Sequence, residues 1–213
     1  MKYVGTIGIS RADHFVISWH FSICLLNLMR YCDKVFGPGA VKLVITESSL
    51  LEENRAGVVM QAEGDWLLML DTDMTFPKDI AEKMVRVMNS GIDFLTGLYF
   101  MGYYTCPPAI YRVTSLTAKP ERYTDYPRNA LFEVGGCGFG GVMMSKKLLD
   151  EFREPDAFGR VVHLGKKMGE DLSFCWKARE KGYKLWCDSS IALGHLRPYT
   201  LSEGQGPAKL DFV

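Results

Sequence analysis

The chain has 213 residues, 47% of them hydrophobic and 23% charged, which is enough apolar content for one sizeable core. Its 25 basic and 25 acidic side chains cancel, removing any bulk attraction to nucleic acid or an anionic membrane and leaving only local basic surfaces. Six cysteines, at 24, 32, 106, 137, 175 and 187, form no CxxC and no repeated spacing, so they read as thiols of a reducing compartment and not as a zinc or disulfide frame.

The opening "MKYVGTIGIS" lacks the arrangement of a signal peptide. Within it "YVGTIGIS" (3–10) predicts a strand, after which Asp13 offers an N-cap to a helix beginning near His14. The most membrane-like run, "FVISWHFSICLLNLM" (15–29), is shorter than the ~20 residues that span a bilayer and carries His20, Ser22 and Asn27. It is expected as a core helix of a soluble, cytoplasmic protein without stable membrane insertion. "VKLVIT" (41–46) is a second β-branched strand, and "LLEENRAGVVMQA" (50–62) a helix weakened by Gly57. "WLLML" (66–70) is apolar throughout, as a strand covered on both faces should be. Ile80, Met84, Val87 and Met88 share one face of the next helix, with Gly91 as its stop.

"DFLTGLYF" (93–100) predicts another strand. From Met101 to about Phe132 regularity breaks down among five tyrosines and four prolines, which suggests a binding loop or a small β-ribbon. A glycine cluster, "VGGCGFGG" (134–141), precedes the helix "KKLLDEF", for which Ser145 is the cap. A polar, glycine-dotted stretch (153–169) reads as a mobile loop. "GEDLSFCWKAREKG" is a helix opened by acids and closed by Gly182, and "YKLWCD" (183–188) a late strand. Strand alternating with helix implies a parallel or mixed sheet, whose ligands gather beyond the carboxyl ends of the strands.

The chemistry concentrates at "LLMLDTDMTF". On a continuing strand Asp71 and Asp73 leave on the same side while Thr72 points away. Two unpaired carboxylates so close repel each other, a conflict that Mg²⁺ or Mn²⁺ resolves. A loop with one aspartate capping the next helix and the other solvated is the plainer alternative. The stretch also matches the nucleophile motif of haloacid-dehalogenase-like phosphatases, with Asp71 phosphorylated and Asp73 as acid/base. That motif normally sits on a first strand and needs a late GDxxxD, whereas here two strand–helix pairs precede it and "GEDLSF" lacks the later acid.

With "NRAGVVMQAEGDWLLMLDTDM", "VGGCGFGGVMMSKKLLDEF" and "GEDLSFCWKAREKGYKLWCDSSIALGH" in this order, the chain resembles GT-A-fold glycosyltransferases of the family-two-like group over roughly residues 3–197. The resemblance implies an α/β, Rossmann-like GT-A sheet, mixed but mostly parallel, with helices on both faces and an inserted acceptor region. It implies one domain: a donor and metal half at about 1–100, an acceptor and catalytic half at about 101–200, and a tail at 201–213. The activity implied is metal-dependent hexosyl transfer from a nucleotide-diphosphate sugar, a UDP-sugar favoured, to a hydroxyl.

By position, Asp71 and Asp73 match the DxD, with Asp73 the more direct ligand of Mn²⁺ or Mg²⁺ and Asp71 nearer the ribose or a metal-bound water. His195 matches the histidine that completes the metal site in many relatives, although a histidine there also serves as a plain hydrogen-bonder. Asp171 matches the base of inverting relatives and Glu170 its orienting neighbour. Two acids also simply favour a helix N-terminus, which would lower the pKa of the base unless burial or a neighbouring acid offsets it. Inverting chemistry is favoured and retaining chemistry stays open. Ser10, Arg11, Glu47, Arg55, Gly136, Gly138 and Arg197 are the expected donor contacts, with Tyr199 beside Arg197 in the tail. The glycines would let backbone approach the sugar and diphosphate. The acceptor stays open among a glycan, a lipid carrier, a protein side chain and a modified nucleic-acid base. A non-catalytic glycan-binding relative, gripping through the tyrosines, is the third alternative.

Overall fold

The computed structural model describes residues 2–12, 18–102, 105–197, 199–202 and 205–209. In chain order come β1 (Gly5–Ala12), α1 (Trp19–Phe36), β2 (Val41–Ser48), α2 (Leu51–Gln61), β3 (Trp66–Asp71), β4 (Met74–Thr75), α3 (Ile80–Met88) and β5 (Phe94–Leu98). The second half holds β6 (Ile110–Tyr111), β7 (Leu131–Val134), β8 (Gly136–Cys137), β9 (Gly141–Ser145), α4 (Lys146–Asp150), β10 (Val162–His163) and β11 (Lys166–Lys167). It ends with α5 (Glu170–Glu180), β12 (Leu185–Ala192), β13 (Gly194–His195) and a hairpin of β14 (Tyr199–Ser202) and β15 (Gln205–Lys209).

Seven strands form one sheet in the order β2-β1-β3-β9-β5-β12-β7. β1 runs parallel to β2 and β3, and β12 parallel to β5, while β9 is antiparallel to both its neighbours and β7 to β12. This is the expected mixed α/β sheet, and its two faces explain the unbroken apolar run of β3. Leu67 and Met69 point into a core shared with Val58, Val59, Phe139 and Phe174, while Leu68 and Leu70 join Ile7, Phe21, Ile80 and Met84 on the opposite face.

Several local signals operate as read. Ser145 Oγ accepts from Leu148 N at 3.2 Å to cap α4, and Gly91 and Gly182, at φ +93° and +88°, follow the ends of α3 and α5. The start of α1 differs from expectation. The helix begins at Trp19, with Ser18 Oγ accepting from His20 N, and Asp13 and His14 lie outside the described residues. As expected, α1 packs on the core, but by one face, with Cys24, Leu25, Met29 and Phe36 beside its buried residues. Only Phe21, Leu28 and Cys32 are buried, while Trp19, Ile23 and Leu26 are exposed. No described helix is long and apolar enough to cross a membrane. Cys32, Cys137, Cys175 and Cys187 are buried thiols.

The inserted region is the small ribbon anticipated as one option, β6 pairing antiparallel with β8. Its described tyrosines hold it together instead of presenting an open surface. Arg122 stacks on Tyr111 at 4.6 Å, Arg112 on Tyr123 at 4.5 Å and Arg128 on Tyr126 at 5.0 Å. Tyr103 and Tyr104 lie outside the described residues.

Candidate active site

Strand β3 ends at Asp71, and this termination governs the site. Thr72 and Asp73 form a turn before β4, so the alternation that would align the two carboxylates stops one residue too early. The two carboxylates have separate partners, and Asp73 lies in a turn and not on a continuing strand.

Asp71 turns to a buried arginine. Both its oxygens accept from Arg55 Nη2 at 3.2 Å, and Ser10 Oγ, delivered by the β1–β3 register, stands 3.5 Å from Oδ1. The other fork of Arg55, Nη1, donates to Glu170 Oε1 at 2.8 Å, and its guanidinium lies 5.3 Å from the Phe139 ring. Only 3% of the Arg55 side chain is exposed, and its Nε is buried without a partner. Burial alone would disfavour the charge, but Asp71, Asp171 and Glu170 together outweigh it and raise the pKa above the ordinary arginine value. Arg55, expected near the nucleotide, is a buried counter-charge that bonds Asp71 and Glu170 and acts electrostatically on Asp171.

At the mouth of α5 the two acids divide their tasks. Glu170 joins Arg55 to Arg160 of the preceding loop, whose guanidinium lies 3.8 Å from Glu170 Oε2 and 3.3 Å from Glu52 Oε2. Asp171 Oδ1 accepts from Leu172 N at 2.8 Å. Burial pushes the Asp171 carboxyl above its ordinary pKa, Arg55 opposes this, and Glu170 reinforces it. That is the offset a base at a helix N-terminus requires.

Asp73 has different company. His195 Nε2 lies 3.1 Å from Asp73 Oδ2, and Arg197 Nη1 donates to the same oxygen at 2.6 Å. A short ladder delivers the histidine: β13 pairs with β4, setting His195 opposite Met74, and Leu196 N donates to Asp73 O at 2.7 Å. His195 Nδ1 sits 2.8 Å from the Phe100 carbonyl, which can only accept, so this nitrogen carries a proton. Nε2 faces the Asp73 carboxylate, as a donor to it or, were a divalent ion set between them, as its fellow ligand. Asp73 and His195 thus fit as two oxygen and nitrogen ligands of a divalent ion. Asp71, occupied by Arg55, does not join them, and among the described residues no three His, Cys, Asp or Glu side chains form a metal-binding group.

Of the remaining expected contacts, Glu47 pairs in register with Arg11, one residue beyond Ser10. Glu47 is exposed at the end of edge strand β2, and the Arg11 and Tyr199 side chains lie outside the described residues. Gly136 is buried, its missing Cβ making room for Leu172 and Cys175. A Cβ on Gly138 would fall 2.1 Å from the Tyr99 hydroxyl and 3.5 Å from Asp171 Oδ2. At both glycines the space a Cβ would take is used by the protein's own side chains, and at Gly138 that space adjoins Asp171. Tyr99 itself escaped sequence reasoning. It follows β5 directly, accepts weakly from Gly140 N at 3.4 Å, and meets the His195 ring edge-on at 5.4 Å. Burial, then Asp71 and Asp171, raise its pKa well above the phenol norm. Its position at the carboxyl end of the predicted strand 93–100 was the available signal.

Two solved structures resemble this chain in fold. A197 from STIV superposes with a TM-score of 0.61 at 19% identity, over all of this chain and 96% of that one. S. aureus TarS 1–349 gives 0.52 at 14% identity, over 92% of this chain and 60% of that one. No family model and no curated protein matches the sequence. At these identities the likeness concerns the fold, a GT-A-like α/β sheet.

Proposed function

We propose that the chain is a metal-dependent glycosyltransferase that moves a sugar from a nucleotide-diphosphate sugar, a UDP-sugar favoured, to an acceptor hydroxyl. The observation that carries this reading is the convergence of Asp73 with His195, and of Arg55 with Asp71, Glu170 and Asp171, at the carboxyl ends of a GT-A-like sheet. Asp73 and His195 would hold Mn²⁺ or Mg²⁺. When bound, such an ion supplies Lewis acidity that neutralises charge on a departing diphosphate.

Asp171 is the base, taking the proton of the acceptor hydroxyl as that oxygen attacks the anomeric carbon, which gives inversion. Its raised pKa suits proton abstraction better than that of an ordinary aspartate. Glu170 and Arg55 position it, and Ser10 and Asp71 form the floor beside them. Arg197 now on Asp73 is a cation that can exchange that carboxylate for a phosphate oxygen. The phosphatase reading needs Asp71 as a free nucleophile, and both its oxygens are held by Arg55.

A panel of nucleotide-sugars, assayed for hydrolysis or transfer with and without manganese, tests the proposal. Manganese-dependent turnover of one donor supports it. Tight donor binding without turnover of any donor would instead favour the non-catalytic relative.

A further inference from the structure

The loop that leads into the catalytic pair projects a short hairpin, β10–β11, whose exposure needs an explanation. Val162 and Leu164 are 67% and 64% exposed, and among the large apolar side chains of the described residues only Trp19, at 73%, exceeds them. Leu164 and Gly165 occupy the turn at φ +50° and +73°, a conformation that favours Asn-Gly and strains a leucine. A leucine both strained and solvated contributes little to folding.

The charges around it are also unspent. Lys166 and Lys167 on β11 are exposed, and His163 Nε2 lies 2.9 Å from the Ala118 carbonyl, which brings exposed Lys119 alongside. Among the described residues none of these three lysines pairs with a carboxylate, whereas neighbouring Arg112, Arg160 and Lys177 all do. The hairpin is anchored to the site: Val161 N donates to Ser173 Oγ of α5, and Met168 N to Val161 O. Trp19 opens α1, which follows β1 and therefore also starts on the carboxyl-end side of the sheet.

We propose that the hairpin tip and its three lysines dock this side of the molecule on an anionic lipid bilayer, so that the acceptor reaching Asp171 is membrane-borne. The choice of acceptor class rests on the transferase reading above, whereas the docking itself does not. A two-residue tip offers far less than the ~800 Å² per partner of a stable protein interface. Insertion of two or three apolar side chains among anionic headgroups needs no such area and gains from each lysine. Local charge thus overrides the zero net charge of the chain.

Co-sedimentation with phosphatidylcholine vesicles, with and without phosphatidylglycerol, tests docking in the absence of nucleotide and metal. The full chain is expected to bind the mixed vesicles and to leave them as salt rises. Lys166→Ser with Lys167→Ser should weaken binding about 25-fold, about fivefold per charge. Val162→Ser with Leu164→Ser should weaken it about tenfold or more. Both double variants should keep the melting temperature and the vesicle-free rate of donor hydrolysis, since none of these residues touches the site. A wild-type chain that stays in the supernatant, variants that bind like wild type, or self-association lost in Val162→Ser with Leu164→Ser would each overturn the proposal. Absence of both donor hydrolysis and transfer, with vesicle binding intact, would sink the transferase reading and leave docking standing.

Discussion

Asp71 and Asp73 are separated by one residue and belong to different chemistries. Asp71 sits on the last residue of a strand, against an arginine that is 3% exposed, in a network that reaches Glu170 and Asp171. Asp73 sits in the turn beyond, its side chain 32% exposed, shared between His195 and Arg197. The first turns on a desolvated, doubly engaged arginine, although the Asp71 side chain itself is 26% exposed. The second has partners that solvent, a cation or a phosphate can replace. One short motif therefore supplies both the rigid floor of the site and its exchangeable rim.

Substitutions can break this contrast in order of expected effect. Asp171→Asn should lower transfer about 10²–10⁴-fold, the usual contribution of a general base. It should leave the fold at least as stable, because the native carboxyl is held at a raised pKa. With a raised pKa the native state keeps its proton longer than the unfolded chain. This destabilising term is absent below the ordinary aspartate pKa and grows as pH climbs through the window up to the native one. Wild type should accordingly lose stability relative to Asp171→Asn across that window, as urea titrations at several pH values would record. Transfer by the wild type should rise over the same window. An acid limb at the ordinary aspartate value would remove Asp171 as base.

Arg55→Met leaves buried carboxylates without their counter-charge and should cost about 3–5 kcal/mol in urea unfolding. Arg55→Lys should recover only part of this, since one ammonium cannot serve both forks. Gly138→Ala drives a methyl into the Tyr99 hydroxyl and should cost about 1–3 kcal/mol. On the rim, Asp73→Asn should change stability by no more than about 1 kcal/mol. Equal losses for Arg55→Met and Asp73→Asn would erase the distinction between floor and rim.

Much of the scaffold was legible because its signals are local. The apolar run 66–70, the caps at Ser145, Gly91 and Gly182, and the acids opening α5 report on neighbours within one turn or one strand. The site was legible by residue type but not by pairing. That β3 stops at Asp71 depends on β4 finding β13, some 120 residues away, and the same ladder brings His195 to Asp73. Arg55 lies in α2 among Ala56, Val58 and Val59, and its burial follows from Phe139 and Glu170, both remote in sequence. The glycines were visible as a cluster, but what fills their space, Tyr99 and Leu172 among others, became visible only in three dimensions.

Nucleotide-linked stabilisation of wild type and Asp73→Ala tests the exchangeable rim most directly. With manganese and a nucleoside diphosphate at about a hundred times Kd, wild type should gain about 2.7 kcal/mol, seen as a higher Tm. Asp73→Ala, folded and otherwise as stable, should show no gain. A wild-type Tm that moves with no nucleoside diphosphate, or a shift that survives in Asp73→Ala, would contradict the account.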